Sequence, residues 1–172
     1  HGEEGKGELS GGQGRGASGS GGDVYVYAAG CCGADAGRYF LMVGIVLVSH
    51  SKEIAEGTAD LVLQMAGEVE ISAVGGDADG SFGTDPERIE ASISDLEADE
   101  VLVFMDLGSA VLSAETVLEM LPSEKRERVT LVDAPFVEGA FAAGVTASTG
   151  ADAEECVEAA MEARTEPKLQ ES

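Results

Sequence analysis

The sequence predicts an α/β domain: an open, doubly wound sheet of four parallel strands in the order 2-1-3-4, with helices on both faces. Two observations carry this expectation. From Met42 onward, short runs of β-branched and aliphatic residues take turns with longer stretches of helical period. The third of these runs, 101–105, is apolar without alternation, as expected of a central strand buried on both faces. Right-handed crossovers between successive parallel strands then give the order 2-1-3-4. A chain of 172 residues with 44% hydrophobic content suits about one such domain.

The elements follow in order. Residues 44–48 are the first strand, and residues 51–66 the first helix, with Ile54, Leu61, Val62 and Met65 at helical spacing. A second strand, 69–74, runs into a loop of Gly75, Gly76, Asp77, Ala78, Asp79 and Gly80. The next helix opens on Thr84-Asp85-Pro86-Glu87, where Thr84 suits a cap, Glu87 a capping box and Pro86 the first turn. Ile89, Ile93 and Leu96 form its apolar face. The third strand, 101–105, stops at Asp106. Leu107-Gly108 then feeds a helix over 109–121, which Pro122 ends. A fourth strand, 129–132, precedes helices at 137–148 and 152–163. The domain is expected over 42–165, with 166–172 a frayed tail.

The first 41 residues have another character. They hold 13 of the 24 glycines and little periodic apolar pattern, so they are expected to be a disordered leader, either a tag or misassigned start, or a true tail. Val24-Tyr25-Val26-Tyr27 has strand chemistry but sits between glycine-rich flanks.

Charge narrows the function. The net charge of −23 disfavours nucleic acid and anionic membranes, which are held by Lys and Arg. No apolar run reaches the roughly 18 residues of a membrane span. Residues 42–172 carry 28 acids against seven bases. Such a surface repels itself at low salt, which points to a halophilic, haloarchaeal type of source and a cytoplasmic location. Cys31, Cys32 and Cys156 have no metal-ligand spacing and read as free thiols of a reducing compartment.

In doubly wound sheets, ligands bind beyond the carboxyl ends of the strands near the switch point, here between the first and third strands. His50 lies two positions past the first strand and Asp106 directly past the third. A lone histidine is more often structural than catalytic. A carboxylate on one ring nitrogen, however, fixes the tautomer and leaves the other nitrogen as a nucleophile. His50-Ser51 and Gly108-Ser109 each enter a helix, so two helix N-termini are expected to face one phosphoryl group. Gly108 permits close backbone approach and the Ser109 hydroxyl adds a donor. A phosphate-binding Gly-x-x-x-x-Gly-Lys-Ser/Thr loop and a Gly-x-Ser-x-Gly elbow are both missing from the sequence. Asp77, Asp79 and Asp85 lack the spacing of a calcium loop and read as solvated acids.

Several stretches, in order, resemble the mannose-type EIIA domains of the DhaM family, the phosphoryl-donor subunits of phosphoenolpyruvate-dependent dihydroxyacetone kinase. They are Val46-Leu47-Val48-Ser49-His50-Ser51, Gly83-Thr84-Asp85, the run ending in Asp106-Leu107-Gly108-Ser109-Ala110, Leu112-Ser113-Ala114-Glu115-Thr116, Ala134-Pro135 with Val137-Glu138-Gly139, and Ser148-Thr149-Gly150-Ala151-Asp152. The resemblance implies that His50 carries the phosphoryl group, that Asp106 bonds it, and that Gly108 and Ser109 cradle the phosphate; Ser51, at the start of the first helix, is expected to bind it as well. It further implies HPr as donor, ADP on the DhaL subunit as acceptor, DhaK as the site of dihydroxyacetone phosphorylation, and a homodimer. ADP, ATP and magnesium would belong to DhaL, with no cofactor and no metal on this chain. Sugar-transporting mannose EIIA domains carry a Trp-Gly-Gly-Ser-Pro turn where this chain has Leu107-Gly108-Ser109-Ala110, and the chain has no tryptophan. Sugar transport, or a non-catalytic flavodoxin-like binding module, are the alternatives.

Overall fold

The computed structural model describes residues 24–25 and 42–169. In chain order the elements are β1 (Val24–Tyr25), β2 (Val43–Ser49), α1 (Lys52–Met65), β3 (Glu70–Gly75), α2 (Pro86–Asp95), β4 (Glu100–Met105), α3 (Gly108–Met120), α4 (Ser123–Arg126), β5 (Val129–Val132), α5 (Phe136–Ser148) and α6 (Ala153–Glu162). The sheet order is β1-β3-β2-β4-β5, and β2 pairs in parallel with both β3 and β4, as β4 does with β5. The four parallel strands thus follow the expected 2-1-3-4 order. One strand was not expected in the fold. Val24–Tyr25 pairs antiparallel with Ser72 and Ile71 on the outer edge of β3, so this part of the leader belongs to the sheet. The remainder of the expected leader lies outside the described residues. The four-residue α4 was also unexpected.

Alternate residues of each strand go to opposite sides. Ile45, Leu47, Ile71, Leu102 and Phe104 meet α1, α5 and α6 on one face. Val46, Val48, Val74, Val101 and Val103 meet α2 and α3 on the other. Both layers are largely aliphatic cores, and burial of this kind is the main favourable term in folding.

On α1 the helical period is as expected and Val62 is buried, but the rest of the inward face differs from the expected one. Ala55, Thr58, Ala59 and Val62 are buried, whereas Ile54, Leu61 and Met65 are about half or more exposed. Close packing explains the choice. A Cβ on Gly144 of α5 would lie 2.3 Å from Val62 Cγ1, so α1 and α5 approach too closely for larger side chains between them. Capping differs at α2 as well. Asp85, not Thr84, is the N-cap, accepting from the N–H groups of Glu87 and Arg88 at 2.9 and 3.4 Å. Asp is the stronger N-cap residue, and Thr84 is released for another bond. Within the described part of the tail after α6, Lys168 pairs with Glu138 of α5.

Cys156 is buried between α6 and the sheet as a free thiol. Burial, with Asp152, Glu155 and Glu100 nearby, pushes it up to about 11. No described helix is long and apolar enough to cross a membrane.

Candidate phosphoryl site at the ends of β2 and β4

The parallel register of β2 and β4 builds the site. Val48 pairs with Met105, and the Asp106 N–H donates to the Val48 carbonyl at 3.2 Å. The strands therefore end side by side, and the next residues out, Ser49 and His50 on one strand and Asp106 on the other, must meet. The Asp106 carboxylate collects four donors. Oδ2 accepts from the Ser49 hydroxyl at 2.8 Å and from the His50 N–H at 2.9 Å. Oδ1 lies 2.8 Å from His50 Nδ1 and accepts from the Leu107 N–H at 2.6 Å.

Partial burial pushes the Asp106 carboxyl up, but the bonds from the His50 backbone and ring, the Ser49 hydroxyl and the Leu107 N–H outweigh it and hold the group below its ordinary value. Asp106 is consequently an anion at neutral pH, with only acceptors to offer. Nδ1 of the neutral imidazole must then carry the proton, which leaves the Nε2 lone pair free. Nε2 faces the hydroxyl of Ser109. The imidazole is not fully open to solvent, since the His50 side chain is 22% exposed and Asp106 12%.

The two helix N-termini beside this pair are unlike. Gly108 and Ser109 begin α3 behind Leu107, which supplies no side-chain cap, and the first turn holds no acid. The N–H groups of Gly108 and Ser109 have no partner among the described residues. A Cβ built on Gly108 would meet nothing within 4 Å. Here are free donors, the positive end of a helix dipole and room for an anion within reach of Nε2.

Ser51 is occupied instead. It is the N-cap of α1, its hydroxyl donates to Glu53 Oε2 at 2.7 Å and accepts from the Ile54 N–H at 3.4 Å, and its N–H donates to Ser49 Oγ at 3.1 Å. Of the residues expected to serve a phosphate, the structure gathers His50, Asp106, Gly108 and Ser109 around one space and turns the side chain of Ser51 toward its own helix. The β3–α2 loop, whose Asp77 and Asp79 are exposed acids, also reaches the site: the Gly83 N–H donates to the His50 carbonyl at 3.1 Å.

Two contributors were not singled out beforehand. Ser49 bridges Asp106 and the Ser51 N–H, and the in-register pairing of the strand ends was the signal that could have placed it opposite Asp106. Arg88 donates to the Gly75, Gly76 and Asp77 carbonyls at 3.2, 3.2 and 3.4 Å and so braces the loop. No sequence signal identified that role. Among the described residues, no cluster of three or more His, Cys, Asp or Glu side chains is arranged to hold a metal.

Comparison with known proteins agrees with this geometry. A family model, EIIA-man, described as the PTS system fructose IIA component, matches residues 44–157. The chain is 46% identical over 106 residues to "PEP-dependent dihydroxyacetone kinase 2, phosphoryl donor subunit DhaM" of Listeria innocua, covering 60% of this chain and 85% of that protein. It is 45% identical over 127 residues to "PEP-dependent dihydroxyacetone kinase, phosphoryl donor subunit DhaM" of Escherichia coli, covering 71% of this chain and 27% of that much longer protein. A crystal structure titled as a protein of unknown function, EF1359, superposes with a TM-score of 0.67 at 43% identity, covering 70% of this chain and 94% of that one. The parallel sheet, the His50–Asp106 pair at its strand ends and the match over residues 44–157 place the chain in one family: it belongs to the EIIA-man family, the fructose IIA components of the PTS.

Proposed function

We propose that the chain is a phosphohistidine carrier, the phosphoryl donor subunit of a PTS-dependent dihydroxyacetone kinase. One observation supports this reading above the others: an ionised Asp106 holds Nδ1 of His50 and leaves Nε2 pointed at the uncapped start of α3. The printed names of the relatives point the same way.

In this reading the Nε2 lone pair of His50 attacks the phosphorus of phospho-HPr. The N–P bond of the donor breaks, its electron pair returns to the donor nitrogen, and a new P–Nε2 bond forms. Asp106 stabilises the positive charge on the ring, while the N–H groups of Gly108 and Ser109 and the Ser109 hydroxyl stabilise the phosphoryl oxygens. In the second step an oxygen of the terminal phosphate of ADP, held on the DhaL subunit, attacks the same phosphorus. The P–Nε2 bond breaks, the pair returns to Nε2 and ATP leaves. DhaL with DhaK then phosphorylates dihydroxyacetone. Nucleotide and magnesium are DhaL's, and this chain works as a cytoplasmic homodimer. Phosphoryl transfer asks for positioning and charge stabilisation more than for covalent work by many groups, which suits so small a site.

Intact-mass spectrometry tests the reading. The protein is incubated with phosphoenolpyruvate, enzyme I and HPr in molar potassium chloride, which screens the acidic surface. The expected result is a gain of one phosphate that brief acid removes, and no gain in His50→Ala. Discharge on adding DhaL with ADP is expected as well, and its failure after normal loading would move the chain to sugar transport. Absence of any gain in the folded wild type, or an acid-labile phosphate on His50→Ala, overturns the proposal.

A further inference from the structure

The start of α3 has few side-chain ties to the β2 side of the site, and the reaction itself removes one of them. Ser109 Oγ contacts His50 Nε2 in the resting protein. Once a phosphoryl group is bonded to Nε2, phosphorus occupies the position where that hydroxyl now points, so the direct contact to the ring is broken and Ser109 must turn to the phosphoryl oxygens instead. One turn further along α3, Ser113 lies on the same face as Ser109, as residues four apart do. Its hydroxyl shares a half-buried hydrogen bond with Thr84 Oγ1 at 2.8 Å. Thr84 follows Gly83, whose N–H donates to the His50 carbonyl, and its backbone bridges to Gly76 at the base of the same loop. Arg88 holds the Gly75, Gly76 and Asp77 carbonyls, so Thr84 projects from a braced support.

Resting on the phosphocarrier reading, we infer that the Thr84–Ser113 hydroxyl pair is a strut that keeps the first turn of α3 at its working distance from His50 Nε2 while the Ser109 contact is broken. Thr84 and Ser113 are positioning residues. Neither needs to touch the phosphoryl group, because each acts through the distance between α3 and the His50 ring. Small displacements of that kind are costly to an in-line displacement, up to about a hundredfold in rate for a misplacement of about 1 Å.

The test compares Thr84→Val, Thr84→Ser, Ser113→Ala and the Thr84→Val/Ser113→Ala double variant in the loading assay with phosphoenolpyruvate, enzyme I and HPr, well below each melting temperature. Thr84→Val preserves shape and removes the hydroxyl. It is expected to slow loading of His50 about tenfold or more at saturating HPr with KM for HPr unchanged. Thr84→Ser restores the hydroxyl and is expected within about twofold of wild type. The double variant is expected to be no slower than the slower single, since both break one bond. A merely structural bond would lower the melting temperature without this rate pattern. Loading by Thr84→Val at the wild-type rate, no rescue by Thr84→Ser, or multiplying defects in the double variant overturns the strut. Should Thr84→Val fail to fold, Ser113→Ala, which places a strong helix former in α3, decides alone: wild-type kcat overturns the strut and a tenfold loss upholds it. A wild type that takes no phosphate sinks the carrier reading itself, an outcome distinct from any of these.

Discussion

The N-termini of α1 and α3 leave neighbouring strands at the same end of the sheet, yet they are finished in opposite ways. α1 is closed: Ser51 is 6% exposed, caps the helix, and bonds Glu53, whose carboxylate sits in the first turn against the dipole. Gly75 of β3 packs so tightly beneath it that a Cβ there would lie 2.3 Å from the Ser51 carbonyl oxygen. α3 is open, with Leu107 as a non-bonding cap, no first-turn acid and an exposed Gly108 whose added Cβ meets nothing. A helix start that satisfies its own donors and charge has nothing left for an anion, whereas one that does not has kept that capacity. The contrast divides the site into a foundation, at α1, and a working edge, at α3.

Substitutions that close the open end or open the closed one would break this division. The largest effect is expected from Gly75→Ala, which drives a methyl into the Ser51 and Lys52 backbone and should cost about 3 kcal/mol or more, read as a fall in melting temperature. Gly108→Ala should leave the melting temperature within about a degree or two, as an exposed first-turn Ala costs the helix nothing. It is expected nonetheless to slow loading of His50 by about tenfold, because its methyl enters the space of the phosphoryl oxygens. Equal loading by Gly108→Ala and wild type would falsify the assignment of that space. Ser51→Ala should lose about 1 kcal/mol through its cap while loading continues at the wild-type rate. A loading defect there would mean that α1 also serves the anion.

The smallest effect concerns pH. The folded-state pKa of Asp106 lies below its unfolded value, so the stability it confers is complete above the ordinary carboxylate range and disappears as pH falls through the lowered value. Melting curves taken from about pH 5 downward should therefore fall more steeply for wild type than for Asp106→Asn. Parallel curves would remove Asp106 from the ionised role that fixes the His50 tautomer.

Much of this was legible in the sequence. The apolar run at 101–105 revealed a buried central strand, the shorter run at 129–132 its neighbour, and the strand-end rule brought His50 and Asp106 together. What was hidden depends on choices between equivalent partners. Ile54, Leu61 and Met65 follow the same helical spacing as Ala55, Ala59 and Val62, and only the closeness of α5 decides which set goes inside. Ser51 and Ser109 both stand near the start of helices, but Ser51 is an N-cap bonded to the Ile54 N–H and to Glu53, whereas Ser109 lies inside the first turn of α3 behind Leu107. The Thr84–Ser113 bond joins hydroxyls 29 residues apart, with no periodic pattern to reveal it. Val24–Tyr25 was hidden by its glycine-rich flanks, since two paired residues leave almost no pattern.

The buried thiol of Cys156 gives the protein a clock. With the sulfur inside the core and its ionisation pushed up to about 11, an alkylating reagent at neutral pH finds almost no thiolate there until the α6 layer comes away from the sheet. In a Cys31→Ser/Cys32→Ser background, the rate of Cys156 modification becomes a count of openings of that layer. Comparing the clock with and without phosphate on His50 shows whether loading the site stiffens the far side of the sheet.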